Sequence, residues 1–309
     1  MISIVIVNWN SGSLLESCLR SLRQHAEGCE VVIVDNASTD ESLKFAAEIK
    51  GDRSIIRMDR NVGFAAGNNR GWAACRGDAI LFLNPDTECL PESIRFLEGA
   101  LEADPAIWAV GGRLVGAENR TQIQYNPRRF PTISSVAAEM MLLDEIWPSH
   151  PWSCASSTEE TAAVIDVDQP AAACLMVKRS ALEAIGGFDE DFFPAWFEDV
   201  DLCRRIHDQG GRIQFEPRAR FLHRGGHSVA LMQRQDFLEV FHSNQIRYFH
   251  KHHGERAASR VKRWIVCGLR LRGALSFIYP LVPGWSRLNS ARSFFNAAGT
   301  FSQLRRGKP

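Results

Sequence analysis

The residues best suited to chemistry in this 309-residue sequence follow an apolar run. Ala79–Leu83 has no polar break, which is typical of a strand buried on both faces of a parallel sheet, and Asn84-Pro85-Asp86 comes next. Because ligands bind beyond the carboxyl ends of such strands, Asn84 and Asp86 are predicted to reach a substrate. The Asp86 carboxylate would suit a hard divalent cation that carries phosphates. The same residue types also form ordinary turns, so this string alone leaves both interpretations open.

A second acidic string, Glu198-Asp199-Val200-Asp201, opens a predicted helix just after Trp196 and other aromatic residues. Acids at a helix start complement the helix dipole, and this explains Asp201 well. Glu198 and Asp199 follow bulky aromatic residues, where partial desolvation can prepare a carboxylate to act as a general base. His223 ends the last predicted strand and could be a second metal ligand, although a lone histidine is more often structural.

Polar residues also follow the first two predicted strands. Ile2–Val7 is followed by Asn8-Trp9-Asn10, and Val31–Val34 is followed by Asp35-Asn36. An acid at the end of the second strand of a nucleotide-binding α/β unit can hydrogen-bond a base or a ribose, which we expect of Asp35. The polar residues 38–40 are more simply explained as caps of the next helix.

A string rich in small residues follows the third predicted strand, Ile55–Met58. Asn61-Val62-Gly63-Phe64 leads into a predicted helix that also contains Gly67-Asn68. Small residues at a helix entry allow close backbone approach, and the free N–H groups favour an anion. The spacing matches neither a Walker loop nor a dinucleotide fingerprint, so neither ATP hydrolysis nor NAD binding is indicated.

The order of the elements predicts an α/β domain with a helical extension. Five strands alternate with helices up to Gly112, which is typical of a doubly wound, nucleotide-binding fold. The alternation stops at about 116–166, and this insertion is a lid, an acceptor-binding element or an interface. Two short strands, Ile213–Phe215 and Ala219–Leu222, are predicted to close the sheet. We therefore predict a catalytic domain at 1–228 and a helical extension at 229–309.

The extension is strongly basic. Residues 251–309 contain twelve Lys and Arg and one acid, Glu255, whereas the whole chain has no net charge. Such a tail points to a polyanionic partner. The two helices predicted at 237–253 and 256–271 either pack with a solvated basic face or lie on an anionic membrane surface through residues 256–285, which include Ile278, Tyr279 and Trp285. No recognised nucleic-acid-binding module is present, so we expect no nucleic acid partner.

The remaining composition points to a reducing compartment. The eight cysteines show no Cys-x-x-Cys spacing, and several lie in apolar runs, as buried thiols do. The sequence is strand-like from residue 2 and has no run of eighteen apolar residues, so we expect neither a signal peptide nor a membrane span. These features favour a cytoplasmic protein, either free or peripheral at the inner face of the plasma membrane.

Taken in order, these strings resemble the family 2 glycosyltransferases of the GT-A fold, particularly the bacterial rhamnosyltransferase-like branch. Two further strings support the resemblance, Gly187-Phe188-Asp189-Glu190 and His223-x-x-Gly226-x-Ser228. Together the strings span residues 5–228, and the ordered set is far more specific than any member. One departure is Ala172-Ala173-Cys174, where similar enzymes often have Gly-Ala-Cys, so the methyl group of Ala172 is expected to narrow the sugar pocket.

The resemblance implies a Rossmann-like, mostly parallel sheet between helices, and a role for each matching residue. The nucleotide and its sugar would be bound by Asn8, Asn10, Asp35, Asn36, Asn61, Gly67, Asn68, Asn84 and Asp86. Asp86 and His223 would hold Mg²⁺ or Mn²⁺, and Asp199 would be the general base, with Glu198 and Trp196 near the acceptor. The implied activity is inverting transfer from a dTDP- or UDP-sugar to a glycan or polyprenyl-linked acceptor in cell-surface polysaccharide synthesis.

Two other classes of protein fit parts of the pattern. A non-catalytic nucleotide-sugar binding module would keep the pocket at residues 8, 35 and 67 but has little reason to keep Asp86, Asp199 and His223 together. A sugar nucleotidyltransferase generally has a basic glycine-rich loop after the first strand, and Asn8–Ser13 contains no Lys or Arg.

Overall fold

The computed structural model describes residues 1–48, 53–148, 150–154, 162–225, 232–277 and 287–303. The chain forms two compact units. The first comprises Met1–Phe130, Ala155–Pro194 and Glu198–Ser228, and the second comprises Pro131–Cys154, Ala195–Phe197 and Val229–Pro309. The insertion predicted at 116–166 is thus divided between the two units.

The first unit contains the strands and most of the shorter helices. Its strands are β1 (Ile2–Asn8), β2 (Glu30–Asp35), β3 (Arg53–Arg57), β4 (Ala79–Leu83), β5 (Thr87–Cys89), β6 (Ile107–Val115), β7 (Ile165–Asp166), β8 (Cys174–Lys178) and β9 (Arg212–His223). Its helices are α1 (Ser13–His25), α2 (Ser42–Glu48), α3 (Gly63–Ala74), α4 (Ser93–Glu102), α7 (Arg179–Ile185) and α8 (Glu198–Asp208), with a 3₁₀ turn at Ile123–Tyr125. The second unit contains α5 (Ile133–Met140), α6 (Leu143–Ile146), α9 (Arg234–Leu275) and α10 (Arg287–Gln303).

The described strands form one mixed sheet in the order β3-β2-β1-β4-β8-β6-β9-β5, with β7 paired to β9. The four strands from β3 to β4 are parallel, β8 runs antiparallel between β4 and β6, and β6 is parallel to β9. Flanking helices complete the GT-A arrangement, which confirms the predicted fold class.

Both faces of the sheet are buried, which explains the unbroken apolar strands. Successive side chains of a strand point to opposite faces, so Ile4 and Ile6 of β1 join one core with α1, and Val5 and Val7 join the other core with α3. Helix α3 lies very close to β1: a Cβ atom added at Gly67 would be only 2.9 Å from Cγ1 of Val7. The small residues of α3 therefore allow this helix to approach the sheet.

Two features of the strands differ from the sequence-based expectation. The two closing strands are one continuous strand, β9, whose register shifts where Gly112 pairs with Glu216 and Arg113 pairs with Arg220. The short strand β5 was not predicted, and it pairs antiparallel with β9 so that Thr87 lies opposite His223. This pairing has a functional consequence, because it sets the residue next to Asp86 beside the end of β9.

The second unit contains the two helices predicted in the basic extension. Both belong to α9, in which Gly254 lies between them with a φ of 77° and a ψ of 173°, which are not helical values. Helices α5 and α10 pack against α9. None of the described helices is both long enough and apolar enough to cross a membrane. Ile278, Tyr279 and Trp285 lie outside the described residues, so that part of the predicted 256–285 surface is not described.

Candidate active site

Asp86 and His223 meet at the edge of the sheet. The Oδ1 atom of Asp86 lies 3.6 Å from Nε2 of His223, and both side chains are buried. The backbone fixes this approach, because the N–H of Arg224 donates to the carbonyl oxygen of Asp86 (3.0 Å) next to the β5–β9 pairing. The structure thus brings together the two residues predicted to bind a metal, although they come from distant parts of the sequence.

Gln122 holds His223 with two hydrogen bonds. Its Nε2 donates to the backbone carbonyl of His223 (2.8 Å), and its Oε1 lies 2.9 Å from Nδ1 of the ring. Because an amide nitrogen must donate to a carbonyl, Oε1 is the acceptor and the proton is assigned to Nδ1. Nε2 therefore presents its lone pair to Asp86. The Tyr125 ring packs edge-on against the imidazole, with ring centroids 4.7 Å apart.

Electron-rich atoms lie at this edge of the sheet. The buried Oδ1 atoms of Asp86 and Asn84 accept no hydrogen bond from the described residues. Burial lowers the pKa of His223, and the Asp86 charge acts in the opposite direction. A neutral imidazole and a carboxylate oxygen are suitable ligands for a divalent cation. No group of three His, Cys, Asp or Glu side chains in the described residues is arranged to hold a metal. A cation on this pair would need further ligands from substrate or water.

Asp199 lies at the same edge, on the first turn of α8. Its Oδ2 accepts from the backbone N–H of Ala172 (3.3 Å), and its Oδ1 accepts from the N–H of Val200 (2.8 Å). The next residue, Ala173, accepts from the N–H of Asn84 (3.1 Å) through its carbonyl oxygen. Two successive residues ahead of β8 therefore connect the carboxylate of Asp199 to the turn that carries Asp86.

Glu198 is buried beside Asp199. Burial, followed by the charge of Asp199, raises the pKa of Glu198 well above its usual value, and its buried Oε2 accepts no hydrogen bond from the described residues. Asp201, by contrast, is paired with Arg205 (2.7 Å), whose guanidinium also caps the end of α7 at the carbonyls of Ile185 and Gly187. Of the three acids, Asp201 therefore has a structural role, in addition to its helix-start position.

The ends of β1 and β2 form a hydrogen-bonded group around Asn8 and Asp35. The side-chain Nδ2 of Asn8 lies within hydrogen-bonding distance of Asp35 (2.8 Å), Ser38 (3.0 Å) and Ser42 (2.9 Å). Its Oδ1 accepts from the hydroxyl of Ser11. Asn8 is fully buried and orders the loop after β2, so its predicted contact with the nucleotide stays a prediction, as does that of Asp35.

Asn10 and Asn36 join this group from the two loops. Asn10 accepts from the N–H of Thr39 (2.8 Å), and Asn36 donates from Nδ2 to the carbonyl of Gly63 (3.0 Å) at the start of α3. The buried Oδ1 of Asn36 accepts no hydrogen bond from the described residues. Its predicted contact with the nucleotide stays a prediction.

The residues predicted at the start of α3 serve mainly to place this helix. Asn61 accepts from the N–H of Gly63 (2.9 Å), and Asn68 donates to the carbonyl of Phe64 (3.0 Å) within α3. Gly63 has a φ of 87°, and a Cβ there would be 2.9 Å from both the Phe193 ring and the Pro194 carbonyl. Gly67 faces β1, as described above. Their predicted contacts with the sugar nucleotide are not tested by these internal contacts.

Trp196 belongs to the second unit. Its ring packs edge-on against Phe237, with centroids 5.0 Å apart. Its predicted contact with the acceptor stays a prediction.

Gln122 and Tyr125 were missed by sequence reasoning. Both lie in the region where the regular alternation stops, and a lone Gln or Tyr in such a region carries no local signal. Only the position of their partner, 101 residues away for Gln122, gives them a place in this site.

Comparison with known proteins agrees with this architecture. The sequence model of glycosyl transferase family 2 matches residues 3–185. An N-acetylglucosaminyl-diphospho-decaprenol L-rhamnosyltransferase from Mycobacterium tuberculosis is 29% identical over 242 residues, which cover 74% of this chain and 78% of that protein. The rhamnosyltransferase WbbL from Escherichia coli is 26% identical over 239 residues, covering 74% and 84%.

A solved structure extends the comparison to the fold. The mannosyltransferase PcManGT from Pyrobaculum calidifontis, in complex with GDP-Man and Mn²⁺, superposes with a TM-score of 0.53 at 16% identity, covering 97% of this chain and 86% of that one. At this identity the likeness concerns the fold alone. The match to the family model, which covers more than half of the chain, confirms the resemblance seen in the sequence. The chain therefore belongs to glycosyl transferase family 2, and it is a glycosyltransferase similar to the rhamnosyltransferases of that family.

Proposed function

We propose that this enzyme transfers a sugar from a nucleoside diphosphate donor to a hydroxyl group of a glycan or lipid-linked acceptor, with inversion at the anomeric carbon. The observation that carries the proposal is that Asp86 lies beside His223 at one sheet edge, and that Asp199 is bonded to the backbone that also holds the turn of Asp86. The first two present oxygen and nitrogen lone pairs to one another, and the third is a carboxylate held by backbone N–H groups.

Asp86 and His223 would hold Mg²⁺ or Mn²⁺. When bound, such a cation would offset the negative charge that develops on the leaving diphosphate. The Nδ1–H of His223 stays on Gln122, so the ring keeps Nε2 available for the cation. The mannosyltransferase of similar fold contains Mn²⁺ together with its nucleotide sugar, which supports a metal of this type.

Asp199 would be the general base. It would take the proton of the acceptor hydroxyl while that oxygen attacks the anomeric carbon from the face opposite the departing diphosphate. The attack forms the new glycosidic bond and breaks the bond to the diphosphate in one step, so no covalent sugar-enzyme intermediate is needed. Hydrogen bonds from Ala172 and Val200 hold the carboxylate in place. Glu198, whose pKa is raised by burial, would stay neutral beside it.

Rhamnose is the sugar that we propose to be transferred, from a dTDP- or UDP-linked donor. Both relatives described above are named as rhamnosyltransferases, and the mycobacterial one is named for a polyprenyl diphosphate acceptor. The proposed acceptor is therefore a polyprenyl-linked glycan of cell-surface polysaccharide synthesis.

Donor binding and product analysis test this proposal. The thermal midpoint should rise with dTDP-rhamnose more than with UDP-N-acetylglucosamine or GDP-mannose, because a bound donor stabilises the folded state. The rise should need Mn²⁺ or Mg²⁺ and should disappear with a chelator. Product formed on a polyprenyl diphosphate sugar should have the anomeric configuration opposite to that of the donor. A product with retained configuration would exclude the single-step mechanism, and no stabilisation by any nucleotide sugar would exclude the donor class.

A further inference from the structure

The part of α9 that follows Gly254 has one basic face. Arg256, Arg260, Arg263 and Arg270 are exposed, and Trp264 lies on the same helix with 37% of its surface exposed. From residue 256 onwards the sequence contains no Asp or Glu. None of the four arginines forms an ion pair with a described residue. This face therefore carries a positive charge that the described chain does not neutralise.

Helix geometry places these residues together. Residues three, four and seven positions apart lie on one side of a helix, and the exposed residues 256, 260, 263, 267, 270 and 274 follow this spacing. The opposite side carries Val261, Ile265 and Leu269, which are buried, and Gly268, where a Cβ would be 2.9 Å from the Cα atom of Met140 in α5. The apolar side thus packs against α5 and α10 within the second unit, and the basic side is exposed among the residues that the structure describes.

Exposed aromatic rings accompany the arginines. Phe277, which follows α9, and Phe295 of α10 are 53% and 41% exposed, and their ring centroids lie 6.4 Å apart. Arg270 reaches toward the same helix, because its guanidinium donates to the hydroxyl of Ser302 (3.3 Å). Large apolar rings exposed among arginines are costly in water but well suited to a membrane interface.

We infer that this basic face, formed by residues 256–277 with Phe295, binds the surface of an anionic lipid bilayer. The guanidinium groups match the headgroup phosphates, and the rings of Trp264, Phe277 and Phe295 match the boundary with the acyl chains. The absence of acidic residues along this face removes the repulsion that an anionic surface would otherwise meet. The inference goes beyond the proposed transfer reaction, because it concerns where the enzyme acts rather than what it transfers.

Cys267 offers a direct probe of this surface. It is exposed on the same face, whereas Cys29 and Cys154 are half-buried and the other five cysteines are buried. With Cys29 and Cys154 replaced by serine, an environment-sensitive fluorophore on Cys267 should shift to the blue when phosphatidylcholine vesicles that contain phosphatidylglycerol are added. Vesicles of phosphatidylcholine alone should give little shift, and high salt should reverse the shift. Sedimentation of the unlabelled full chain with the same vesicles checks that the label does not cause binding.

Charge variants complete the test. The triple variant Arg256→Gln/Arg260→Gln/Arg263→Gln should bind these vesicles about 100-fold more weakly, because each basic residue near such a surface contributes roughly fivefold. The matched control is Arg20→Gln/Arg95→Gln/Arg120→Gln, whose side chains are more than 70% exposed in the first unit, and it should bind as the wild type does. Thermal melts establish that both variants fold.

Three results would overturn the inference. The first is equal binding to neutral and anionic vesicles, and the second is equal loss of binding in the two triple variants. The third is displacement of the protein from vesicles by duplex DNA at equal phosphate concentration, since that would assign the face to nucleic acid. All of these are binding measurements, so a failure here is distinguishable from a failure of the proposed transfer reaction.

Discussion

Two buried polar residues of the second unit, His242 and Arg272, differ from Asp86 and Glu198 of the first unit in how their polar atoms are bonded. In the second unit, His242 is paired with Gln245 (2.9 Å), and Arg272 donates to the carbonyl oxygens at the end of α5. In the first unit, Asp86 and Glu198 keep buried oxygens that accept no hydrogen bond from the described residues. A buried oxygen that accepts no hydrogen bond lowers the free energy of unfolding by about 1–3 kcal/mol. Such an oxygen does not stabilise the fold and can accept a hydrogen bond from, or coordinate, a ligand. In these four residues, the paired groups hold helices together, whereas the unpaired oxygens of Asp86 and Glu198 belong to the proposed site.

The largest expected effect is that of Asp199→Asn. The amide keeps the size of the side chain but cannot take a proton, so kcat should fall by about 10²–10⁴-fold while the Kd of the donor changes little. Turnover and donor titration measure the two quantities. Asp208→Asn, at the other end of α8, is the matched control and should retain activity. Retained turnover in Asp199→Asn would remove this residue from the role of base, and a wild-type chain with no turnover would instead favour a binding module.

Asp86→Asn should separate function from stability. The variant loses a charged metal ligand, so Mn²⁺ affinity should fall by more than about 100-fold. The metal-free thermal midpoint should stay equal or rise, because a buried charged carboxylate is replaced by a neutral amide. Calorimetric Mn²⁺ titration and thermal melts provide the two measurements. A large loss of metal-free stability would mean that Asp86 belongs with the structural polar groups instead.

His242 should limit the stability of the protein on the acid side. Burial and the nearby Arg272 lower the pKa of His242 to about 4, although its hydrogen bond to Gln245 opposes this. Below pH 6.5, the usual pKa of histidine, His242 binds a proton in the unfolded chain but not in the folded one. The free energy of unfolding is therefore highest above pH 6.5 and falls as the pH approaches 4. The loss should be about 3 kcal/mol over that range. His242→Asn should remove this slope in denaturant titrations, whatever its absolute stability, and an unchanged slope would contradict the assignment.

Gln122→Met should loosen His223 without touching the metal ligands. Methionine has a similar size but makes neither hydrogen bond, so the imidazole would lose its fixed tautomer, and Mn²⁺ affinity should fall by about 10–100-fold. Nitrogen NMR of the metal-free protein should show the proton of His223 on Nδ1 in the wild type and on both nitrogens in the variant. Gln24→Met, at an exposed position of α1, is the matched control. Wild-type tautomer populations in Gln122→Met would show that the Tyr125 packing alone positions the ring.

The smallest effect is expected for Glu198→Gln, and it should have the opposite pH dependence to that of His242. Because the pKa of Glu198 is raised by burial and by Asp199, the folded state retains a proton that the unfolded chain releases above 4.5. The contribution of Glu198 to the free energy of unfolding is therefore fully present below pH 4.5 and decreases as the pH rises above that value. The variant should gain thermal stability relative to the wild type toward alkaline pH, and the exposed Glu102→Gln should not. Parallel curves for the wild type and Glu198→Gln would show that Glu198 has another partner.

Local patterns predicted much of the first unit. Ala79–Leu83 forms a buried strand as expected. Asn8 and Asp35 end their strands, and Asp86 lies in the turn after β4, as apolar runs that stop at polar residues predicted. The helices of the extension were also predictable, including the interruption near Gly254, because apolar residues recur at helical spacing on either side of it. These features depend on neighbours within a few residues, which is the information that a single sequence contains.

The sequence by itself determined the order of the elements, the family and the unequal distribution of charge, since these follow from residue types and short-range spacing. The tertiary structure alone decided which side chains meet. Strand β5 pairs with β9, which sets Asp86 beside His223, and a residue of an irregular segment then fixes the histidine ring. Within the described ranges, the structure also decided which buried oxygens accept no hydrogen bond and which face of α9 is exposed. The physical reason is that strand pairing and helix packing join residues far apart in the chain, and no local pattern specifies their partners.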